Sequence, residues 1–226
     1  MNPLREADFE AIADNALVLR LGDRIDSPTN ANVHALCERI RAQRPLWLRD
    51  LVPAYASVGV FFEPLLIEAD VLKTWLRTVL EVLPADAQKT VAAARTIEIP
   101  VAYGGEAGPD LESAAAELGM TPGDLTKRHA AGEYTIAMIG FAPGFPYLLG
   151  LDPALALPRL ATPRTSVPAG SVGIGGTQTG IYPRESPGGW RLIGRTPLTL
   201  FDPSRAEPAL LAPGDRVRFV AMDAAG

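Results

Sequence analysis

The chain has 226 residues, 47% hydrophobic and 21% charged, which is enough for one large or two small globular domains. Its formal net charge of −5 and pI near 5.1 argue against nonspecific binding to nucleic acid or to an anionic membrane. Cys37 is the only cysteine, the N-terminus lacks a secretory signal pattern, and no apolar run approaches the ~20 residues of a membrane span, so we expect a cytoplasmic protein without disulfides.

The first 90 residues alternate strand and helix patterns. Leu17 and the leucines two and four residues later alternate as in a strand, whereas apolar residues after Val33 recur at helical spacing. The predicted elements are strands at 9–13 and 16–21, a helix that begins in the capping cluster 27–30 and ends before Pro45, strands at 46–52 and 55–62, and a helix from 72 to 83. This order predicts a small α/β sandwich domain, 1–90, separated by the polar stretch 86–94 from a second domain, 95–226.

Two residues of the first helix could carry chemistry. His34 lies one step off the apolar stripe, which favours a solvated side chain over a chemical role. Cys37 lies on the stripe, so we interpret it as a small buried hydrophobe rather than a reactive thiol.

The second half opens with a glycine-rich loop and two short helices. The loop presents Glu106, and Asp110 is placed either to cap a helix over 111–118 or to serve a functional site. Thr121 and the proline after it open the next helix, which runs to about His129.

His129 has both a structural and a chemical interpretation. A histidine at a helix C-terminus is stabilised when it is charged, and this alone would explain its presence. However, it is the only histidine in the second half and adjoins a strand predicted at 134–141. It is therefore the obvious candidate for acid–base chemistry near neutral pH.

Residues 140–197 form the densest signal in the chain. Eleven of the 21 glycines and nine of the 21 prolines fall there, interleaved with aromatic and branched residues. Such a segment has prescribed backbone dihedrals and too much apolar material for a linker, so we expect it to line a cleft. Short strands are predicted at 171–175, 179–182, 190–194, 199–201 and 216–221, a pattern typical of a β-barrel or sandwich.

Five sequence blocks in fixed order resemble a known protein family. They are IPVAYGGEAGPDLE at 99–112, RHAAGEYTIAMIGF at 128–141, GFAPGFPYL at 140–148, PRLATPRTSVPAGSVGIGGTQTGIYP at 158–183 and SPGGWRLIGRTP at 186–197. On these blocks the chain is similar to the bacterial 5-oxoprolinase B-subunit family, also described as allophanate hydrolase subunit 1 and as the kinase-A-inhibitor family. A looser N-terminal pattern extends the resemblance over nearly the whole chain.

The resemblance implies an α+β protein, with a small N-terminal α/β sandwich followed by a cyclophilin-like β-barrel. It also implies the B component of an ATP-dependent 5-oxoprolinase, which opens the lactam 5-oxo-L-proline to L-glutamate together with the A and C subunits and is expected to have little activity alone. Two alternatives come with the family: a binding module that inhibits a histidine kinase, and a component of an allophanate or urea amidolyase-like system. An exposed apolar face on the barrel would favour the inhibitor, whereas a polar pocket would favour the enzyme.

Tests for self-contained chemistry give few matches. The glycine run at 173–178 places Gln178 where G-x-G-x-x-G requires its third glycine, and neither a P-loop nor a G-x-S-x-G elbow is present. ATP is therefore expected to be used by the complex, with its binding by this chain left open. Two histidines and one cysteine cannot assemble a conventional zinc site without carboxylates from unrelated segments, so no metal is predicted.

A cluster of polar residues suits an anionic amide. Arginine side chains are fixed donors for a carboxylate or a phosphate, and Gln178 offers a donor and an acceptor. Among the arginines at 159, 164, 191 and 195 we expect one or two to be functional, the rest covering apolar surface. The predicted site combines catalytic His129, Arg164 and Gln178 with substrate-binding Glu106, Asp110, Arg159 and Tyr182.

Overall fold

The computed structural model describes residues 8–82 and 95–222. They form two compact units, one before Arg95 and one from Arg95 onward, and each is described by itself. The predicted boundary at 86–94 lies outside the described residues, and so do Leu83 and Pro84 at the end of the second predicted helix. The division into domains 1–90 and 95–226 therefore stays a proposal.

The first unit contains a four-stranded antiparallel sheet with the order β1-β2-β4-β3. Its strands are β1 (Phe9–Ala13), β2 (Ala16–Arg20), β3 (Leu48–Pro53) and β4 (Ser57–Phe62). Every second residue of β4 is buried, because side chains alternate between the two faces of a sheet. The predicted strands of this half are confirmed to within about two residues.

Two helices cover the buried face of this sheet. They are α1 (Ser27–Gln43) and α2 (Ala69–Glu81). Leu36 and Ile40 of α1 and Leu72 and Leu76 of α2 are fully buried in one core with Val60 of β4. The predicted sandwich with one helix layer is confirmed.

Local details of α1 differ from prediction. The N-cap is Asp26, whose Oδ1 accepts from Thr29 N at 2.7 Å, so the capping residue lies just before the predicted cluster. His34 is buried rather than solvated, with Nε2 3.0 Å from Asn30 Oδ1. Asn30 Nδ2 donates to Ala54 O and Tyr55 O, and these contacts connect the helix to the β3–β4 turn. The expectation for His34 is therefore wrong.

The second unit is a closed seven-stranded barrel with the order β10-β7-β6-β13-β5-β12-β9. Its strands are β5 (Thr96–Tyr103), β6 (Tyr134–Ile139), β7 (Pro146–Leu149), β9 (Ser171–Gly175), β10 (Gln178–Ile181), β12 (Arg191–Arg195) and β13 (Arg216–Ala221). A separate two-stranded sheet pairs β8 (Arg164–Val167) with β11 (Ser186–Gly188). The barrel closes through a parallel pair, β5 with β13, whereas its other pairs are antiparallel. The α+β class with a C-terminal barrel is thus confirmed.

Two helices join the barrel strands. They are α3 (Leu111–Glu117) and α4 (Pro122–Ala131). Gly119 ends α3 with φ +67, and Thr121 caps α4 by accepting from Asp124 N at 3.1 Å, as predicted. None of the helices in the described parts of the chain has the length and apolarity needed to cross a bilayer.

One predicted strand is wrong. Residues 199–201 form no strand, and Phe201 makes only an isolated bridge to Ala209. Strands β7, β8 and β11 were not predicted, since prolines and charged residues break their alternation.

Candidate functional site

A cluster of aromatic side chains lies on the outer face of the barrel. Thr179 of β10 points into the barrel, where its Oγ1 donates to Gly173 O at 3.0 Å, so its neighbour Gly180 faces outward. On that outer face lies a second core, separate from the barrel interior, formed by Ala142, Phe145, Val167, Tyr182, Trp190 and Leu192 with Tyr147 packed against it.

Glycines on β9 and β10 make room for Trp190. A Cβ at Gly175 would lie 2.6 Å from the indole ring, and a Cβ at Gly180 would lie 3.0 Å from it. A Cβ at Gly173 would lie 3.1 Å from the Cβ of Trp190. Part of the glycine density of the sequence is therefore explained by one large ring lying close against two strands.

A pocket of about 90 Å³ opens beside this cluster. It is lined by Phe141, Phe145, Tyr147, Arg159, Tyr182, Pro187, Gly188, Gly189 and Trp190. All nine come from the glycine- and proline-rich segment 140–197, which the sequence predicted to line a cleft.

The pocket combines aromatic walls with positive charge. The guanidinium of Arg159 lies 5.8 Å from the centroid of the Trp190 ring. Burial raises the pKa of the Tyr147 and Tyr182 phenols, and nearby Arg159 only partly offsets this, so both hydroxyls stay protonated and can donate hydrogen bonds. Among the described residues that line the pocket none is acidic, so the site suits a small planar anion.

Arg164 is held by Asp110 close to this pocket. Its Nη2 donates to Asp110 Oδ1 at 2.6 Å, and Asp110 Oδ2 accepts from Leu192 N at 2.6 Å. Arg164 of β8 is paired with Gly188 of β11, and Gly188 lines the pocket together with Tyr182. Asp110 occupies the N-cap position of α3 without a side-chain cap bond, so its carboxylate positions Arg164 and β12 instead of capping the helix.

His129 lies inside the barrel. It is fully buried, and its ring centroid is 4.5 Å from that of Phe219. Because Thr179 donates to a carbonyl, the hydrogen-bond network assigns Nε2–H of His129 as the donor to Thr179 Oγ1 at 3.0 Å, and Nδ1 as the acceptor from the Tyr103 hydroxyl at 2.7 Å.

This environment removes the near-neutral titration expected for His129. Burial lowers the pKa of its imidazole from 6.5 to about 3, and burial also keeps the Tyr103 phenol protonated by raising its pKa. Both ring nitrogens have partners, so the side chain joins α4 to two barrel strands. The expectation of a histidine that titrates near pH 7 is wrong.

The predicted site residues divide into three groups. Arg159 and Tyr182 line the pocket, while Arg164 and Asp110 form the ion pair next to it. Gln178 is buried on the outer face of β10 but does not line the pocket, and Glu106 is exposed in the turn after β5. His129 contacts Thr179, which points into the barrel, whereas Gln178 lies on the outer face of β10. The structure therefore does not bring the three predicted catalytic residues to one concave site.

The remaining arginines and two aromatic residues complete this picture. Arg191 Nη2 donates to Glu117 at 2.9 Å, and Arg195 Nε is buried without a hydrogen-bond partner in the described chain. Trp190 packs against the outer face of the barrel and also lines the pocket. Phe141 was missed, because neither its residue type nor its position in the sequence distinguishes it from a packing residue.

Comparisons with known proteins establish the family. Residues 7–211 match the carboxyltransferase domain, subdomain C and D. The 5-oxoprolinase B subunit of Bacillus subtilis (strain 168) is 42% identical over 219 residues, which is 94% of this chain and 91% of that protein. The chain belongs to the 5-oxoprolinase B-subunit family. The Escherichia coli O157:H7 protein of the same name is also 42% identical, over 96% of this chain and 97% of its own length.

Solved structures with this fold include one of similar length and two that are larger. TTHA0988 is 38% identical with a TM-score of 0.80, but the match covers 92% of this chain and only 40% of that one. PH0987 from Pyrococcus horikoshii is 44% identical over 95% of this chain and 97% of its own, with a TM-score of 0.57. The urea carboxylase of Kluyveromyces lactis, at 19% identity, shares the fold over 95% of this chain and 21% of its own, with a TM-score of 0.73.

Proposed function

We propose that this chain is the B component of an ATP-dependent 5-oxoprolinase that opens 5-oxo-L-proline to L-glutamate together with the A and C subunits. The match to two proteins named as this component of 5-oxoprolinase, over more than nine tenths of their length, carries the proposal. The name of these relatives implies further subunits. That ATP is used by the complex, that this chain has little activity alone and that it is cytoplasmic are parts of the same proposal.

The chemistry of the pocket supports this function. 5-Oxo-L-proline has a planar amide ring and one carboxylate, so it needs an apolar surface and a cation. Trp190 and Phe145 supply the first, and Arg159 supplies the second. The protonated hydroxyl of Tyr182 adds a donor, and Arg164 contributes positive charge that Asp110 partly balances.

We assign substrate binding to Arg159 and Tyr182, with Arg164 as a residue positioned by Asp110. Catalytic roles for Arg164 and Gln178 and a binding role for Glu106 stay predictions. For His129 the buried position favours a structural role. Because the pocket contains an arginine and two phenols, it also favours the enzyme over the histidine-kinase inhibitor, by the criterion set from the sequence.

Reconstitution tests the function. The three subunits are mixed, and 5-oxoproline-dependent ATP hydrolysis and glutamate release are measured, together with mixtures that omit each of the three in turn. We expect full activity only in the complete mixture. Equal turnover by this chain alone, or no 5-oxoproline-dependent hydrolysis in the complete mixture, would contradict the proposal.

Arg159 provides the residue-level test. Arg159→Ala removes a charge-assisted contact to the carboxylate and should raise the KM for 5-oxoproline about 10- to 100-fold, with melting temperature unchanged. Arg159→Lys keeps the charge but loses the planar fork, so it should recover only part of the affinity. Arg218→Ala is the matched control, because Arg218 is an exposed arginine of the same unit and pairs with Glu98 away from the pocket.

A further inference from the structure

Phe141 has an unusual backbone conformation. Its φ is +65, in the left-handed region that bulky side chains avoid. Within residues 8–82 and 95–222 the only other non-glycine residue with positive φ is Arg44, which is the C-cap of α1, where this conformation is common. Strain at a position without such an explanation is a pointer to function.

The turn around Phe141 is tightly fixed. Ala142 N donates to Gly140 O at 2.7 Å, Phe145 N donates to Ala142 O at 3.0 Å, and Gly140 N donates to Phe145 O at 3.1 Å. Gly144 follows with φ +79, and a Cβ there would lie 2.7 Å from the Cβ of Phe201. The segment therefore holds Phe141 in one defined position.

This position leaves the ring exposed beside the pocket. The residue is 63% exposed, although it is one of the larger apolar residues. Its ring meets that of Phe145 edge-on at 5.5 Å, and it lines the pocket together with Arg159 and Trp190. Backbone strain and exposure of an apolar ring to water do not stabilise the fold. The position of Phe141 is therefore explained by what its ring contacts.

The surroundings favour a small molecule over a protein partner. In the described part of the barrel unit the other exposed large hydrophobic residues are Val220 and Met222. Strand β13 pairs with β6 at Tyr134, whereas Phe141 follows the opposite end of β6, so these residues do not form one patch with Phe141. Protein interfaces need a contiguous apolar area, whereas a cationic pocket beside one exposed ring suits a small ligand.

We propose that Phe141 is a specificity-determining residue of this pocket, whose ring packs on the planar amide of a small cyclic carboxylate bound by Arg159. The inference rests on the proposed function and names the contact that would distinguish substrate from product. L-Glutamate carries an ammonium group and a second carboxylate and has no planar ring, so covering it with Phe141 would desolvate charge. L-Proline keeps the ring and carboxylate but replaces the amide with an ammonium.

Direct binding gives the first test. The chain has three tryptophans, so Trp47→Phe and Trp75→Phe leave Trp190 as a fluorescent reporter in the pocket. In this background we expect 5-oxo-L-proline to change the Trp190 signal saturably, and L-proline and L-glutamate to bind at least about tenfold more weakly. Phe141→Gly should raise the Kd for 5-oxo-L-proline about tenfold, the size of one lost ring contact.

Variants separate contact from folding. Phe141→Gly relieves the positive φ, so its melting temperature should equal or exceed that of the parent protein, while Phe141→Ala loses the ring and keeps the strain. Phe141→Tyr should restore the affinity. Val220→Ala removes an exposed apolar side chain elsewhere on the same unit and should leave the Kd unchanged.

Reconstituted enzyme gives the second test. We expect Phe141→Gly to raise the KM about tenfold with kcat within about threefold of wild type. A KM that is unchanged while the subunits no longer co-purify would assign Phe141 to a partner interface and overturn the proposal. An active complex in which this chain, when isolated, shows no saturable Trp190 signal would also overturn it while leaving the function intact. Phe141-dependent lactam binding in a mixture without activity would support the contact and refute the function.

Discussion

Acidification should reveal the cost of keeping His129 uncharged. Its imidazole is fully buried, and burial lowers its pKa from 6.5 to about 3. The unfolded chain lacks this environment, so there the imidazole takes up a proton near its ordinary pKa. Between these two values the unfolded state binds more protons than the folded state, and the free energy of unfolding must therefore fall as the pH falls.

The magnitude follows from the two pKa values. Well inside this window the loss approaches ~1.4 kcal/mol per pH unit, and at pH 5 it amounts to about 2 kcal/mol relative to pH 8. Since whole domains are stable by roughly 5–15 kcal/mol, one side chain would account for a measurable share of the acid sensitivity. Stability from the neutral imidazole is complete above pH 6.5 and is lost as the pH falls toward 3.

The assay compares the parent protein with His129→Gln, which cannot titrate and retains an amide donor for Thr179. Urea unfolding is followed by Trp190 fluorescence in the background without the other two tryptophans, from pH 8 to pH 4.5. Carboxylates titrate in both proteins, so the difference between the two curves isolates His129. We expect that difference to change by about 2 kcal/mol between pH 8 and pH 5.

An NMR titration checks the same prediction without a substitution. The chain has two histidines, so two imidazole signals are expected, and the one lost in His129→Gln belongs to His129. It should keep its neutral chemical shift down to pH 4.5. A midpoint near pH 6, or identical pH dependence of unfolding in both proteins, would refute the assignment of His129 as a buried neutral residue.

Three further predictions concern packing and reactivity. Gly108→Ala should cost several kcal/mol or prevent folding, because a Cβ there would overlap the main-chain oxygen of Ile193 in β12, whereas Gly119→Ala meets only backbone strain of about 1 kcal/mol. Urea unfolding compares the two variants, and equal losses of stability would contradict this prediction. Asp110→Asn should destabilise the barrel by about 1–3 kcal/mol, since Arg164 loses its partner, and an unchanged urea midpoint would argue against the ion pair. Cys37 is buried and burial raises its pKa to about 11, so a thiol reagent at pH 8 should label it only after unfolding, and fast labelling of the folded protein would contradict the structure.

Periodicity predicted the first unit better than the second. Helix α2 and strand β4 follow patterns set by one apolar face, and such patterns are visible in the sequence. In the barrel unit, strands such as β8 are short and contain charged residues, so local alternation is too weak to identify them. His34 was mispredicted because its burial depends on Asn30 and on carbonyls of the β3–β4 turn, which helical spacing cannot show.

The pocket was predictable in part. Arg159 and Tyr182 were chosen by residue type and by their position in a segment of turns, and both line it. Phe141 was not chosen, since a dihedral angle of a non-glycine residue leaves no sign in the sequence. His129 was chosen for acid–base chemistry because it is the only histidine of the second half and adjoins a predicted strand, whereas the rings of Tyr103 and Phe219, which bury it, come from strands far away in the chain.

The parallel pairing of β5 with β13 has a consequence for synthesis of the chain. These are the first and last strands of the barrel. Just before they begin, Arg95 donates two hydrogen bonds of 3.2 and 2.6 Å to the Asp215 carboxylate. Until residue 221 has left the ribosome, β5 and β6 remain open sheet edges, which other chains can pair with. The barrel therefore cannot close until its last strand has been translated. The long sequence separation of the closing pair favours slow folding and a need for protection by chaperones.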